Sequence, residues 1–304
     1  MPRRILYFIN PISGPRRKLP IEKLISEKTR GQKIPFEILH ANQSGDYPFL
    51  RDKVESEKIT DVVICGGDGT VNQVAGALVD VDVNIGIIPL GSGNGLAFTA
   101  GIPRNPHQAL EIIFANKSAF IDAFFIDERF CCMLCGVGFD AQVAHDFAGQ
   151  KTRGLVTYIR QTLKNFIIAP TYPFDITIKG HTFNTDAFFI SIANSNQFGN
   201  NLKIAPRASL DDGLLDIVIV KKMSKIKLLW AVLQQIRSGE PGNHDDKNFH
   251  KNEVVYFQSD KVIIHNPSLA PLHIDGEPMS TNKKFDIQIL PGAFKLLKPL
   301  KPDS

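Results

Sequence analysis

Three glycine-bearing loops and one acidic triplet hold the residues of this sequence best suited to chemistry. After the apolar run DVVIC comes Gly66-Gly67-Asp68-Gly69-Thr70, followed by a helical stretch with Val71, Asn72, Gln73 and Val74. Glycines at a strand end let backbone approach a bound group, and the amides that open a helix offer positive potential to a phosphate. Taken alone, the pentad is also readable as a tight strand-to-helix turn with Asp68 as the cap. Gly91, Ser92, Gly93, Asn94 and Gly95 follow the run NIGIIPL, and Asn10, Pro11, Ile12, Ser13 and Gly14 follow ILYFI. Neither GxGxxG nor GxxxxGK[ST] occurs in order, which argues against Rossmann and Walker assignments. The acidic triplet is Asp275-Gly276-Glu277. It reads either as a β-turn between LHI and PMS or as an acid–base pair, with Asp275 and Glu277 on one side of an extended chain.

The elements that must position these residues fall into two halves. The 304 residues suggest two domains. Through about residue 117, short apolar strands alternate with helical patterns, the signature of a parallel sheet with helices on its faces. Strands are expected at Ile5–Ile9, Phe36–Leu39, Asp61–Cys65 and Asn84–Ile88, and helices at Leu19–Lys28, Tyr47–Lys58, Thr70–Leu78 and Pro106–Ala115. The carboxyl ends of parallel strands share one edge, so the three loops are expected to face one crevice. From Phe120 onward the pattern changes to apolar–polar alternation in FDITIKG, AFFISIAN, LLDIVIV, KVIIHN and FDIQIL, which predicts an antiparallel β domain. Amphipathic helices are read at Gly154–Ile168 and Ser224–Ile236, and a loop at Ser238–Lys251. The domains are therefore drawn at 1–118 and 119–290, with the tail 291–304 as a segment that can return to the first.

Composition narrows the classes. Hydrophobic residues make up 43% and charged residues 22%, which excludes a disordered chain. The net charge of +4 falls far short of a dedicated nucleic-acid binder. No apolar run approaches the length of a spanning helix, about 18 residues, and MPRRILYFINP meets Asn10 and Pro11 too early for a signal-peptide core. The chain is accordingly expected in the cytoplasm. Cys131, Cys132 and Cys135 lie in the apolar run FCCMLCGVGF and, like Cys65, read as core thiols, because no second pair completes a zinc or redox site.

Asn10-Pro11 with Ser13-Gly14, GGDGT with Asn72, PLGSGN at Pro89–Asn94 and IDGEP at Ile274–Pro278 together resemble the diacylglycerol kinase and sphingosine kinase superfamily of lipid kinases, in order and spacing over nearly the whole chain. GGDGT is also found in NAD kinases and resembles the phosphofructokinase sequence, whereas PLGSGN and DGE are more discriminating. The resemblance implies an ATP-binding α/β domain of the NAD kinase and phosphofructokinase type and a β-sandwich-like second domain. It also implies a cleft between them in which a lipid hydroxyl is phosphorylated with the help of magnesium. By this resemblance the nucleotide lies on Asn10 to Gly14, on Gly66 to Val74 and on Gly91 to Asn94. Asp68 then acts through magnesium, and Glu277 is the proton acceptor, with Asp275 in support. A structural magnesium would take Asp212 and the Leu214 carbonyl.

The sequence departs from the family at three places. Gly95 stands where many bacterial members have Asp, Ala41 where many have a nucleotide-contacting Thr, and Ser209 where some have a metal-binding acid. Gly138-Phe139-Asp140 resembles the region where sphingosine kinases place an acid near the lipid head group, although Asp140 reads first as a helix cap. The basic clusters Arg16-Arg17-Lys18 and Lys221, Lys222, Lys225 and Lys227 suit an anionic membrane surface or plain solvation. The expectation is a peripheral lipid kinase for a diacylglycerol or sphingoid acceptor, with a homodimer left open. Its rivals are an NAD kinase-like soluble enzyme, opposed by PLGSGN before Leu96-Ala97-Phe98, and a catalytically weak nucleotide or lipid binder.

Overall fold

Short apolar runs become strands and the segments between them become covering helices in the computed structural model, which describes residues 2–11, 13, 21–42, 45–148, 169–197, 205–224 and 253–299. The order begins β1 Ile5–Ile9, α1 Ile21–Gly31, β2 Phe36–His40, α2 Phe49–Ser56, β3 Asp61–Gly66, α3 Asp68–Ala77, β4 Asn84–Pro89, α4 Gly95–Thr99 and α5 Pro106–Ala115. It continues with β5 Ser118–Ile126, β6 Arg129–Cys131, β7 Leu134–Gly138, α6 Phe139–Ala148, β8 Tyr172–Ile178, β9 His181–Ala193 and β10 Leu215–Lys221. The chain closes with β11 Val254–Ser259, β12 Lys261–His265, β13 Leu272–Ile274, β14 Glu277–Met279 and β15 Lys284–Leu297. The helix read at 154–168, all but the first residue of the helix read at 224–236, the loop at 238–251 and the basic residues Arg16, Arg17, Lys18, Lys225 and Lys227 lie outside the described residues.

Two units divide the chain: Met1–Asp122 with Gly292–Ser304, and Ala123–Pro291. In the first, β1 lies between β2 and β3 in parallel, with Tyr7 opposite Ile38 and Val63, and β3 pairs with β4 in parallel. The last residues of β15 join the far side of β4, Lys295 opposite Asn84 and Leu296 opposite Ile85. Every residue of β1 and β3 is buried, as a parallel strand covered on both faces requires. At the amino-terminal edge, buried Asp61 accepts from Arg3 Nε at 2.9 Å, Thr60 Oγ1 at 2.7 Å and Asn84 Nδ2 at 3.1 Å, tying three strands together. The sequence punctuates α5 at both ends. Asn105 Oδ1 accepts the His107 amide at 2.9 Å, Pro106 takes the first turn, and Asn116 closes the helix in the left-handed region at φ +54°.

In the second unit, β7, β9, β8, β12 and β15 are neighbours in that order, all antiparallel, with β13 and then β14 beyond β7. β9 is long enough to serve two ladders. Its first half forms a hairpin with β8, while its second half lies between β7 and β10, which carries β11. Alternating burial along β8 and β15 matches the period-two pattern of the sequence. The inward set, including Phe124, Phe174, Ile217, Phe257, Phe285 and Ile287, forms one core. The expected α/β unit followed by an antiparallel β unit is what the chain adopts.

Candidate functional site

In the first unit, the chemistry-bearing loops leave the carboxyl ends of β1, β3 and β4. Gly67 is the residue before α3, extended at φ −101° and ψ −176°, and it makes no side-chain cap; the amide of Val71 reaches its carbonyl at 3.1 Å. Asp68 is therefore in the first helical turn rather than at the cap, where a carboxylate is favoured by the helix dipole. The helix consequently starts two residues earlier than its apolar spacing predicts, because an amphipathic pattern is blind to a Gly-Asp-Gly opening. A Cβ on Gly91 would stand 2.5 Å from the Gly67 Cα, so the two glycine loops touch backbone to backbone. The Leu90 amide donates to the Gly66 carbonyl at 2.9 Å on the same line.

Asn10 brings the third loop in. Its Nδ2 donates to Thr70 Oγ1 at 2.8 Å, and its amide donates to the Cys65 carbonyl at 3.0 Å. The loop after β2 also arrives here, since a Cβ on Gly45 would lie 2.5 Å from Gln73 Nε2. Asn94 has a different task from its exposed neighbour Ser92. It is buried at φ +57°, and its amide side chain both accepts from the Gly91 N–H at 2.9 Å and donates to the Gly91 carbonyl at 2.8 Å, fixing the loop's shape. Pro11 and Ser13 lie beside Asn10, with the Ser13 amide reaching the Asn10 carbonyl at 3.3 Å, while Ile12 and Gly14 lie outside the described residues. The short helix α4 has no counterpart in the sequence reading, because five residues are too few for periodicity to register.

The acidic triplet is not an extended pair. Asp275 and Gly276, at φ +48° and +81°, are the two central residues of the β13–β14 hairpin, with Ile274 opposite Glu277. Asp-Gly is the sequence that such a turn favours. The turn sends the two carboxylates to different places, which corrects the expectation that they share one side. Asp275 is buried and its Oδ1 accepts the Leu134 amide at 2.9 Å, the Met133 amide at 3.1 Å and the Cys131 thiol at 3.2 Å. Its Oδ2 takes the Cys132 amide at 3.4 Å. Burial raises its pKa from the ordinary value, against the lowering pull of the Leu134 amide and the Cys131 thiol. Glu277, by contrast, is exposed at the start of β14. The four cysteines are buried and form no disulfide, and burial raises the thiols of Cys65, Cys131 and Cys135, so these are core groups rather than thiolates.

Residues 4–126 match the diacylglycerol kinase catalytic domain, and residues 134–298 match the YegS C-terminal NAD kinase beta sandwich-like domain. The chain belongs to this lipid kinase family. The "Probable lipid kinase YegS-like" of Chromohalobacter salexigens is 27% identical over 264 residues, covering 84% of this chain and 82% of its own. The "Probable lipid kinase YegS" of Salmonella typhimurium is 27% identical over 265 residues, 84% of each chain. Solved Bacillus anthracis str. Sterne proteins assigned to the diacylglycerol kinases superpose with TM-scores of 0.79 and 0.76 at 22% and 20% identity, each over 98% of this chain and 97% of theirs. Those two likenesses are of fold.

Elsewhere in this lipid kinase, Asp212 Oδ1 accepts the Leu214 amide at 3.1 Å and Ser209 donates to Asp211 at 2.7 Å, bonds that close the turn on itself. No group of three His, Cys, Asp or Glu side chains fit to hold a metal occurs among the described residues. Asp216, the one acid inside the apolar run LLDIVIV, is a buried carboxylate on β10. It accepts from the Tyr256 hydroxyl and from Gln258 Nε2 at 3.2 Å, and Arg207 lies 5.5 Å over the Tyr256 ring. Burial first, and then the nearby Asp212 charge, push its pKa up to about 7. The folded chain thus keeps a proton that the unfolded chain releases near pH 4, so this residue makes stability fall as pH rises from about 4 to about 7. Asp216→Asn should remove that slope, by a few kcal/mol at most. Denaturant midpoints of both chains at about pH 5 and about pH 8 check it. An identical pH dependence in the two would contradict the assignment.

Proposed function

We propose that this lipid kinase uses ATP with magnesium to phosphorylate the hydroxyl of a diacylglycerol or sphingoid-type lipid presented at a membrane surface. The observation that carries the reading is the backbone contact between Gly67 and Gly91, which joins the loops after β3 and β4 beside the opening turn of α3. Loops bare of side chains, with helix amides beside them, suit the donor phosphates. Asn10, Pro11 and Ser13 then flank the nucleotide, with Gly66, Gly69, Thr70, Val71, Asn72, Gln73 and Val74 under it and Ser92 and Gly93 at its other side. Asn94 contributes by holding Gly91 in place.

Asp68 brings a carboxylate to these loops in the first turn of α3, with backbone amides and the Thr70 hydroxyl in the same turn. That fits magnesium, which keeps water and phosphate oxygens as ligands and is held by one or two protein carboxylates. The ion, when bound, offsets charge on the transferring phosphoryl group. Glu277 takes the proton of the lipid hydroxyl, and its exposed position at the start of β14, directly after a two-residue turn, suits that task. Asp275 supports it as an anchor of the turn through the amides of Cys132 to Leu134 rather than as a second acid at the acceptor. Among the described residues no helix is long and apolar enough to cross a membrane, which accords with an enzyme that meets its lipid from one side.

The test is acceptor-resolved turnover. The wild-type chain and Asp68→Ala are incubated with ATP, magnesium and, separately, diacylglycerol, monoacylglycerol, sphingosine, ceramide and NAD, and the products are resolved by mass. The expected result is phosphorylation of a glycerolipid or sphingoid base by the wild type and none by Asp68→Ala, with unchanged far-UV circular dichroism. Phosphorylation of NAD alone would contradict the lipid acceptor, and near wild-type turnover by Asp68→Ala would remove Asp68 from the phosphate side.

A further inference from the structure

Behind the Asp275–Gly276 turn lies a buried polar arrangement that the core does not need. His273, the middle residue of β13, is fully buried between the apolar Leu272 and Ile274. Its ring faces the opening turn of α6, where Asp140, also buried, places Oδ2 3.4 Å from His273 Nε2. Opposite His273 in the ladder stands Gly136, where any Cβ would collide with Asp140 Oδ2 and lie 2.5 Å from His273 Nε2. Two buried polar side chains thus face each other 3.4 Å apart, with Gly136 leaving room for them, in a place that apolar side chains would fill at lower desolvation cost.

The hydrogen bonds give the arrangement a direction. The Gly276 amide donates to His273 Nδ1 at 3.3 Å, so Nδ1 carries the lone pair and the ring proton sits on Nε2, toward Asp140. The other Asp140 oxygen accepts the Ala141 amide at 2.8 Å in the first turn of α6, where the helix dipole favours a carboxylate. Each residue of the turn therefore has its own buried anchor: Asp275 through the amides of Cys132, Met133 and Leu134, and Gly276 through His273. The next residue is Glu277.

We propose that His273 and Asp140 are positioning residues for phosphoryl transfer, a relay from α6 through the Gly276 amide that sets the direction of the Glu277 carboxylate. The inference rests on the reading of Glu277 as the base. A base displaced by about 1 Å loses on the order of a hundredfold in rate, so the relay acts on kcat and leaves nucleotide binding alone.

The two amide replacements of histidine separate the roles of its nitrogens. His273→Asn keeps an acceptor near the Nδ1 position, and His273→Gln moves the amide to the Nε2 position and abandons the Gly276 amide. With dioleoylglycerol and sphingosine in mixed micelles as probes, His273→Gln should lower kcat by about tenfold to a hundredfold, with KM for ATP within about twofold. His273→Asn should recover most of that loss, and Asp140→Asn, which sets an NH2 against Nε2–H, should repeat it. In the Glu277→Gln background, His273→Gln should have no further effect. Should His273→Gln fail to fold, Asp140→Asn is read in its place, alone and with Glu277→Gln. Equal kcat losses in both backgrounds, or a lowered melting temperature with unchanged kcat, overturn the relay. A wild-type kcat in Glu277→Gln overturns the base and the relay together, whereas a loss there beside intact His273→Gln and Asp140→Asn overturns the relay alone.

Discussion

Glu277→Gln is expected to lower kcat by about a hundredfold to ten-thousandfold while the affinity for ATP stays within about twofold, because a correctly placed base contributes that much to activating a poor nucleophile. The substitution keeps size and shape at an exposed position at the start of β14 and removes only the ability to accept a proton as a carboxylate. Its neighbour gives a contrasting result. Asp275→Asn leaves an amide NH2 among donors that include the Leu134 and Met133 amides and the Cys131 thiol, so it should lower the melting temperature as well as kcat. Steady-state kinetics in ATP and acceptor, with thermal melts of each variant, separate the two. Loss of turnover in Asp275→Asn with full activity in Glu277→Gln would reverse the roles.

Gly91→Ala is the second large effect. Its Cβ would meet the Gly67 Cα at 2.5 Å and Asn94 Oδ1 at 2.8 Å, and a backbone neighbour cannot turn aside as a side chain can. The loops must part, which costs about 1–3 kcal/mol of stability by overpacking and on the order of a hundredfold in kcat/KM for ATP by misplacing the phosphate cradle. Gly31→Ala is the control, since nothing lies within 4 Å of the Cβ it would add at the end of α1. Nucleotide titration with thermal melting checks both, and ATP binding by Gly91→Ala as tight as wild type would show that the loop contact is not part of the cradle.

β1, β3 and β4 were readable because each is a short apolar run with glycine or proline at or just after its end, and α5 because Asn105-Pro106 opens it and Asn116 ends it. The glycine loops could be placed at one sheet edge from topology alone. What could not be read depends on partners far away in the chain. Nothing local says that Asp275 turns inward to amides more than 140 residues earlier, nor that His273 reaches an acid on α6. The hairpin strands β13 and β14 have three residues each, too few for alternation to show which side chains face in. The β-turn alternative for the triplet is the one the chain adopts: Asp-Gly between short extended runs signals a two-residue turn, in which Asp275 leaves the extended conformation at φ +48°. Asp216 was hidden by its setting, since an acid inside LLDIVIV reads as an outward strand position until β11 covers it with Tyr256 and Gln258.

Transfer of phosphate from ATP to a lipid hydroxyl is tested by following the phosphorus itself. The chain is incubated with ATP labelled at the γ-phosphorus, magnesium and vesicles of each acceptor, and label is counted in the organic and aqueous phases. Label is expected in the organic phase, in proportion to ADP formed, with one acceptor class strongly preferred and none with Asp68→Ala. Label found only as inorganic phosphate, or only in ATP with every lipid offered, would contradict it.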